Sequence, residues 1–178
     1  MRVVVLGTAR DVGKTYVTCR IAEDLRGGTC LLALKPIETG VSSADSGDAG
    51  AIAAAAGHAP PASPWRFARA VSPHLAAREA GVLIETRPWA EWIAAQERRA
   101  APETRTRSSP SIALVETAGG AFSPVGPALT NVDLALSLEP AVWLLVAHDS
   151  LGVLHLSLIH ISEPTRLRRI SYAVFCLK

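Results

Sequence analysis

Nothing in this sequence is long and apolar enough to cross a membrane, since no apolar run approaches the ~20 residues a spanning helix needs. The opening run Val3–Leu6 is also too short for the core of a signal peptide. Cysteine is scarce: Cys19, Cys30 and Cys176 show neither metal-ligand nor disulfide spacing, which points to a reduced, cytoplasmic setting. His58, His74, His148 and His155 likewise lack metal-ligand spacing, and no motif supports a zinc site or a Ser-His-Asp hydrolase. Excess charge is missing too. The formal net charge of +2 belongs to residues 156–178, where Arg166, Arg168, Arg169 and Lys178 face Glu163 alone. Residues 1–155 hold 14 basic and 15 acidic side chains, so the body has no electrostatic case for nucleic-acid binding. Lysine is nearly absent there as well. Twelve arginines accompany only Lys14 and Lys35. A compact ammonium suits single phosphate oxygens better than a planar guanidinium does, so these two positions stand out.

What is present begins at residue 3. Val3-Val4-Val5-Leu6 reads as a buried strand, Gly7-Thr8-Ala9-Arg10-Asp11-Val12-Gly13 as a loop, and Lys14-Thr15 as the opening of a helix. Strand, glycine-bounded loop and Gly-Lys-Thr in this order make a phosphate-binding P-loop. Loop amides would point at phosphates, Lys14 would sit over the β and γ oxygens, and the Thr15 hydroxyl would be a Mg²⁺ ligand. The glycine spacing departs from the commonest pattern: Thr8 stands where the first glycine is usual, and the glycine lies one residue earlier, at Gly7.

With 49% hydrophobic residues in 178, the chain has enough apolar mass for one real core. The P-loop helix should run from Thr15 to Leu25, ending at Gly27-Gly28. Cys30–Leu34 reads as a second buried strand, with Lys35-Pro36-Ile37-Glu38-Thr39-Gly40 leaving its C-terminal end. Asp48–Ala56 reads as an alanine-rich helix. Ser72 should cap a helix with Pro73 in its first turn, and Pro88–Arg99 is amphipathic, with Trp89, Trp92 and Ile93 inward. Ile112–Val115 is a third strand ending in Glu116-Thr117-Ala118-Gly119-Gly120. A short helix over Asn131–Leu138 and a strand over Ala141–Ala147 follow. Strand and helix alternate throughout. The expected class is therefore α/β: a P-loop NTPase-like, doubly wound, mostly parallel sheet.

In such a sheet the C-terminal strand ends share one edge, where ligands bind. Gly13-Lys14-Thr15, Lys35 with Thr39, and Glu116 with its glycines should converge there, with Asp48 near the second group. Taken singly, Asp48 also fits a helix cap, Glu116 a solvated strand end and Lys35 a surface lysine. Together they make a site of two carboxylates, a hydroxyl and two ammonium groups, suited to Mg²⁺ and a nucleotide.

Four ordered motifs then carry a resemblance: Gly7-Thr8 with Val12-Gly13-Lys14-Thr15, Lys35-Pro36-Ile37 with Thr39-Gly40, Ser72-Pro73-His74-Leu75-Ala76-Ala77, and Val115-Glu116 with Ala118-Gly119-Gly120. From Val3 to about His155, including Leu151-Gly152, the chain resembles dethiobiotin synthetase. The resemblance implies an ATP- and Mg²⁺-dependent cyclo-ligase that makes a cyclic urea from 7,8-diaminononanoate and CO2 through a phosphorylated carbamate. It implies that Lys14 and the loop from Asp11 through Val12, Gly13, Thr15 and Tyr16 hold the phosphates. Thr15, Asp48 and Glu116 would hold Mg²⁺, with Thr117, Ala118 and Gly119 beside the nucleotide. Lys35 would be catalytic, steadying the carbamate and the transferred phosphoryl group. Thr39 would contact the diamine, Ser72, Pro73 and His74 would shape its pocket, and a homodimer would be the assembly.

Three positions depart from the family pattern. Ala9 and Arg10 replace a carboxylate and a threonine in the loop, and Thr117 stands where glycine is usual. Two other P-loop classes fit less well. A regulatory or partitioning P-loop ATPase usually carries a second lysine early in the loop, and Thr8, Ala9 and Arg10 supply none. An amidotransferase-linked synthetase needs a glutaminase motif, which the chain does not show. Residues 156–178 break with the rest: the charge jumps and alanine almost vanishes. Leu156–Arg166 reads as the translation of a transposase-based sequencing adapter, Leu167–Arg169 as an index, and Ile170–Lys178 as the adapter's outer end. The expectation is a P-loop ligase domain over 1–155, a non-native tail over 156–178, and a sheet left incomplete with an uncovered edge.

Overall fold

The computed structural model describes residues 1–42, 44–100 and 111–148, together with the backbone of 172–177. Its centre is a parallel sheet in the order β2 (Cys30–Leu34), β5 (Ser111–Glu116), β1 (Arg2–Gly7), β8 (Val142–His148), β9 (Tyr172–Leu177). Alternation along the strands assigns each side chain to a face. Val4 and Leu6 of β1, Val115 of β5, and Trp143 and Leu145 of β8 join one core cluster. Val5, Leu144 and Val146 join a second, and Leu114 a third, on the other side. Both faces of a doubly covered parallel sheet are buried, which is why these strands read as nearly continuous apolar runs.

Helices α1 (Lys14–Leu25) and α2 (Gly47–Ala56) supply Val17, Ala22, Ile52 and Ala56 to the second and third clusters. The larger cluster takes its cover from α3 (Pro73–Glu79), α4 (Thr86–Ala100) and α5 (Asn131–Leu136), through Ala76, Trp89, Ile93 and Leu134. Trp89 and Ile93 are fully buried, while Trp92 packs partly buried at the margin. The expected α/β class and parallel sheet are therefore what the chain forms.

Two small sheets lie outside the expected pattern. β3 (Ile37–Thr39) pairs in parallel with β4 (Trp65–Phe67), and β6 (Pro124–Gly126) pairs antiparallel with β7 (Leu129–Thr130). Strands of two or three residues are too short to register as a period in the sequence. The edge of β8, expected to be uncovered, instead pairs from Trp143 to His148 with Tyr172–Leu177. That stretch, Tyr-Ala-Val-Phe-Cys-Leu, is the short apolar, β-prone type of run that parallel strands favour. The expected junction at residue 155 lies outside the described residues.

Candidate active site

The P-loop owes its shape to where the chain leaves the sheet. Thr8 N–H still bonds to Val146 O at 2.9 Å, so Thr8 continues the β1 ladder and needs no glycine. Gly7 does: a Cβ there would lie 2.9 Å from both Ala9 O and Val12 Cγ2, and 3.0 Å from Lys14 Nζ. The displaced glycine thus marks the point where the loop folds back. Asp11 and Gly13 both take positive φ, at 56° and 89°, the backbone conformation from which anion-binding nests are built. Val12 does not face that space. Its side chain is buried with Val5, Val17 and Val146 and anchors the loop from below.

A cleft of about 680 Å³ opens beyond these strand ends. Lys14, Thr15, Lys35, Asp48 and Glu116 all line it. Glu116 is fully buried, not a solvated strand end, and Lys35 is only 8% exposed, not a surface lysine. The Lys35 ammonium donates to Glu116 Oε1 at 2.7 Å and also to Asp48 Oδ2. The Thr15 hydroxyl donates to the same Glu116 oxygen at 2.8 Å. Burial works against the charge on Lys35, but Glu116 and Asp48 outweigh it and hold the ammonium above the ordinary lysine range. Burial also opposes the charge on Asp48, and Lys35 reverses that, keeping the carboxyl below its ordinary value. Lys14 goes the other way. Burial lowers its pKa, with only partial compensation from Glu116, and its ammonium reaches Ala9 O at 3.4 Å.

Lys35 bonds to both carboxylates, while Lys14, the second ammonium of the cleft, acts on them through space and bonds to Ala9 O rather than to either. Glu116 Oε2 is buried with no hydrogen-bond partner. Among the described residues no group of three or more His, Cys, Asp or Glu could close around a metal by itself. The donor set nonetheless fits a hard cation that completes its shell with phosphate oxygens and water. An orphaned carboxylate oxygen, a second carboxylate half-exposed to the cleft and a threonine hydroxyl are what Mg²⁺ takes in nucleotide sites.

Several residues that sequence reasoning passed over build this geometry. β2 is a sheet edge, and its outward Ala33 N–H is taken up by His58 Nε2 at 3.0 Å, while Ser63 Oγ donates to Lys35 O at 2.7 Å. Asn131, fully buried, donates its amide to Ala118 O and Gly120 O at 2.7 and 2.8 Å, fixing the turn after β5. None of these has a motif; each is found only once the chain is folded.

A family model described as an AAA domain matches residues 1–170. The ATP-dependent dethiobiotin synthetase BioD of Caulobacter vibrioides (strain NA1000 / CB15N) is 33% identical over 180 residues, an alignment that takes in 95% of this chain and 75% of the relative. The chain belongs to the dethiobiotin synthetase family. The family member from Streptomyces coelicolor is 36% identical over 156 residues, with 85% of this chain and 60% of the relative covered. The one from Xylella fastidiosa (strain 9a5c) is 32% identical over 150 residues, covering 80% and 62%. The chain thus spans about 62% of the length of the Xylella fastidiosa and Rhodopirellula baltica synthetases it matches.

The positions that depart from the dethiobiotin synthetase pattern now have places. Thr117 does not narrow the cleft: it is buried, its hydroxyl donates to Val5 O at 2.9 Å and its N–H bonds to the same oxygen, so neither donor faces a ligand. Arg10 lines the cleft with its Nε 3.5 Å from Asp11 Oδ2. Thr39, Tyr16, Ala118 and Gly119 also line it. Ser72, Pro73 and His74 do not. They begin α3, which packs against β3, one layer behind the wall that carries Thr39.

Proposed function

We propose that this protein is an ATP- and Mg²⁺-dependent cyclo-ligase closing the ureido ring of dethiobiotin on 7,8-diaminononanoate and CO2. An amine of the diamine adds to CO2 and loses a proton, giving a carbamate. A carbamate oxygen attacks the γ-phosphorus of ATP and ADP leaves. The second amine then attacks the carbamoyl carbon, the ring closes and phosphate departs. The observation that carries this reading is Lys35, a second buried ammonium that enters the cleft from the end of β2 and not from the loop, where a partitioning ATPase would carry its second lysine.

The loop amides from Asp11 to Tyr16 and the Lys14 ammonium would hold the β and γ phosphates. Val12 and Thr117 would serve by anchoring the loop and the β5 turn. Thr15, Asp48 and Glu116 would hold Mg²⁺, which when bound supplies charge neutralisation on the phosphate oxygens. Lys35, released from its two carboxylates, would reach the carbamate oxygen and the phosphoryl group as charge moves between them. Its high pKa suits an electrostatic role rather than that of a base. Thr39 would orient the diamine, with Ser72, Pro73 and His74 supporting the wall behind it. Assembly as a homodimer and a cytoplasmic location complete the reading.

The test is product formation. Supplied with ATP, Mg²⁺, the diamine and ¹³C-bicarbonate, the purified protein should release phosphate and yield dethiobiotin carrying one ¹³C by mass spectrometry. ATP turnover that ignores diamine and bicarbonate, with no labelled urea, overturns the proposal.

A further inference from the structure

Glu38 is a buried carboxylate that the chemistry above does not use. It sits in β3 at 3% exposure, yet borders the cleft. Its Oε1 accepts the N–H of Ala49 at 2.9 Å, in the first turn of α2 immediately after Asp48. Its Oε2 has no hydrogen bond; the Arg66 Nε stands 3.4 Å away. Gly47, where α2 begins, has φ of +59°, and a Cβ there would lie 2.5 Å from Glu38 Oε1. The helix start is therefore pressed onto this one oxygen. Arg66 is fixed in turn by Ser42 O at 3.3 Å and by Asp45 O, both in the segment leading into α2.

We infer that Glu38 is the positioning residue for Asp48. By capping Ala49 and seating Gly47 it sets where the first turn of α2 lies. It thereby sets the distance at which the Asp48 carboxylate meets Lys35, Thr15 and a cation. Two features favour this over simple anchoring of a helix. The acceptor is a buried carboxyl oxygen at a helix N-terminus, where both the hydrogen bond and the helix dipole favour an acidic side chain. It also acts at the residue next to the ligand, as outer partners that orient metal-binding carboxylates do. The inference rests on Asp48 being a ligand of the nucleotide's cation.

Mn²⁺ titrated by electron paramagnetic resonance, with a non-hydrolysable ATP analogue present, reads the cation site without turnover. Hydrogen exchange at Ala49 reads the helix start. Glu38→Ala should raise the Mn²⁺ concentration for half-saturation roughly tenfold and speed exchange at Ala49 more than at Ala53. Glu38→Gln, which keeps an acceptor oxygen, should recover most of both. If Glu38→Ala leaves Mn²⁺ binding unchanged while Asp48→Asn weakens it, the positioning role is wrong and the site reading stands. If Asp48→Asn also has no effect, Asp48 is not a ligand and the inference falls with it.

Discussion

Two ion-pair groups hold the sheet at opposite ends of its strands, and they are built to opposite rules. Where β1 begins, Arg2 meets Glu97 of α4 in a two-point fork, with Nε to Oε1 and Nη2 to Oε2 both at 2.8 Å, and a further Arg2 contact to Leu138 O at 3.3 Å. Every oxygen of that carboxylate has a donor, and charge is balanced one to one. At the other end, Lys35 serves Glu116 and Asp48 at once, Lys14 bonds to neither, and Glu116 Oε2 has no hydrogen-bond partner. The first arrangement is complete and so is a staple. The second is incomplete in a fully buried carboxylate, where an unmatched charge is most costly, and so marks a place that a ligand finishes.

The sharpest way to break that contrast is to remove the cation at each end. Lys35→Gln should lower diamine-dependent phosphate release about a hundredfold or more, the scale expected for losing a donor aimed at developing charge. The same variant should gain more thermal stability from Mg²⁺ than the parent does, because its two carboxylates have then lost the one ammonium bonded to them. Equal Mg²⁺ stabilisation of both proteins would mean that Lys35 does not compete with the metal for the two carboxylates.

Next in size is Gly47→Ala. It forces a side chain into a positive-φ position already occupied by Glu38 Oε1, and should cost about 1–3 kcal/mol in denaturant unfolding. Glu97→Gln, at the stapled end, should cost about 1 kcal/mol and leave turnover unchanged. Its pH dependence has a definite sign. Arg2 holds the Glu97 carboxyl below the ordinary 4.5, so the ion pair stabilises the fold above that value and loses its effect as pH falls through the depressed one. The stability gap between Glu97→Gln and the parent should therefore close in acid. A gap that persists there would assign the effect to packing rather than charge.

The sequence was most legible where a side chain's role follows from local pattern. β2 runs over the expected Cys30–Leu34, α1 starts one residue before Thr15, and α4 extends the expected helix by two residues at its start and one at its end. Convergence of Lys14, Thr15, Lys35, Asp48 and Glu116 was also readable, because parallel strands bring their C-terminal ends to one edge. Illegible were contacts between segments far apart in sequence. Nothing at residue 38 announces a partner at residue 49, and nothing in Asn131 announces the carbonyls of Ala118 and Gly120. Val12 and Thr117 show the related limit. They sit within binding motifs, yet the folded loop buries the Val12 side chain and the Thr117 hydroxyl turns to Val5 O, facts that motif spacing does not carry.

The measurement that bears most directly on the incomplete cluster is Mn²⁺ binding, with the non-hydrolysable nucleotide present, to the parent protein and to Glu116→Gln. An incomplete cluster predicts one nucleotide-dependent Mn²⁺ in the parent and at least tenfold weaker binding in the variant, since the buried unpartnered oxygen is then neutral. Equal binding by both would contradict it, and would leave Lys35, Asp48 and Glu116 as a structural ion pair like the one at the other end of the sheet.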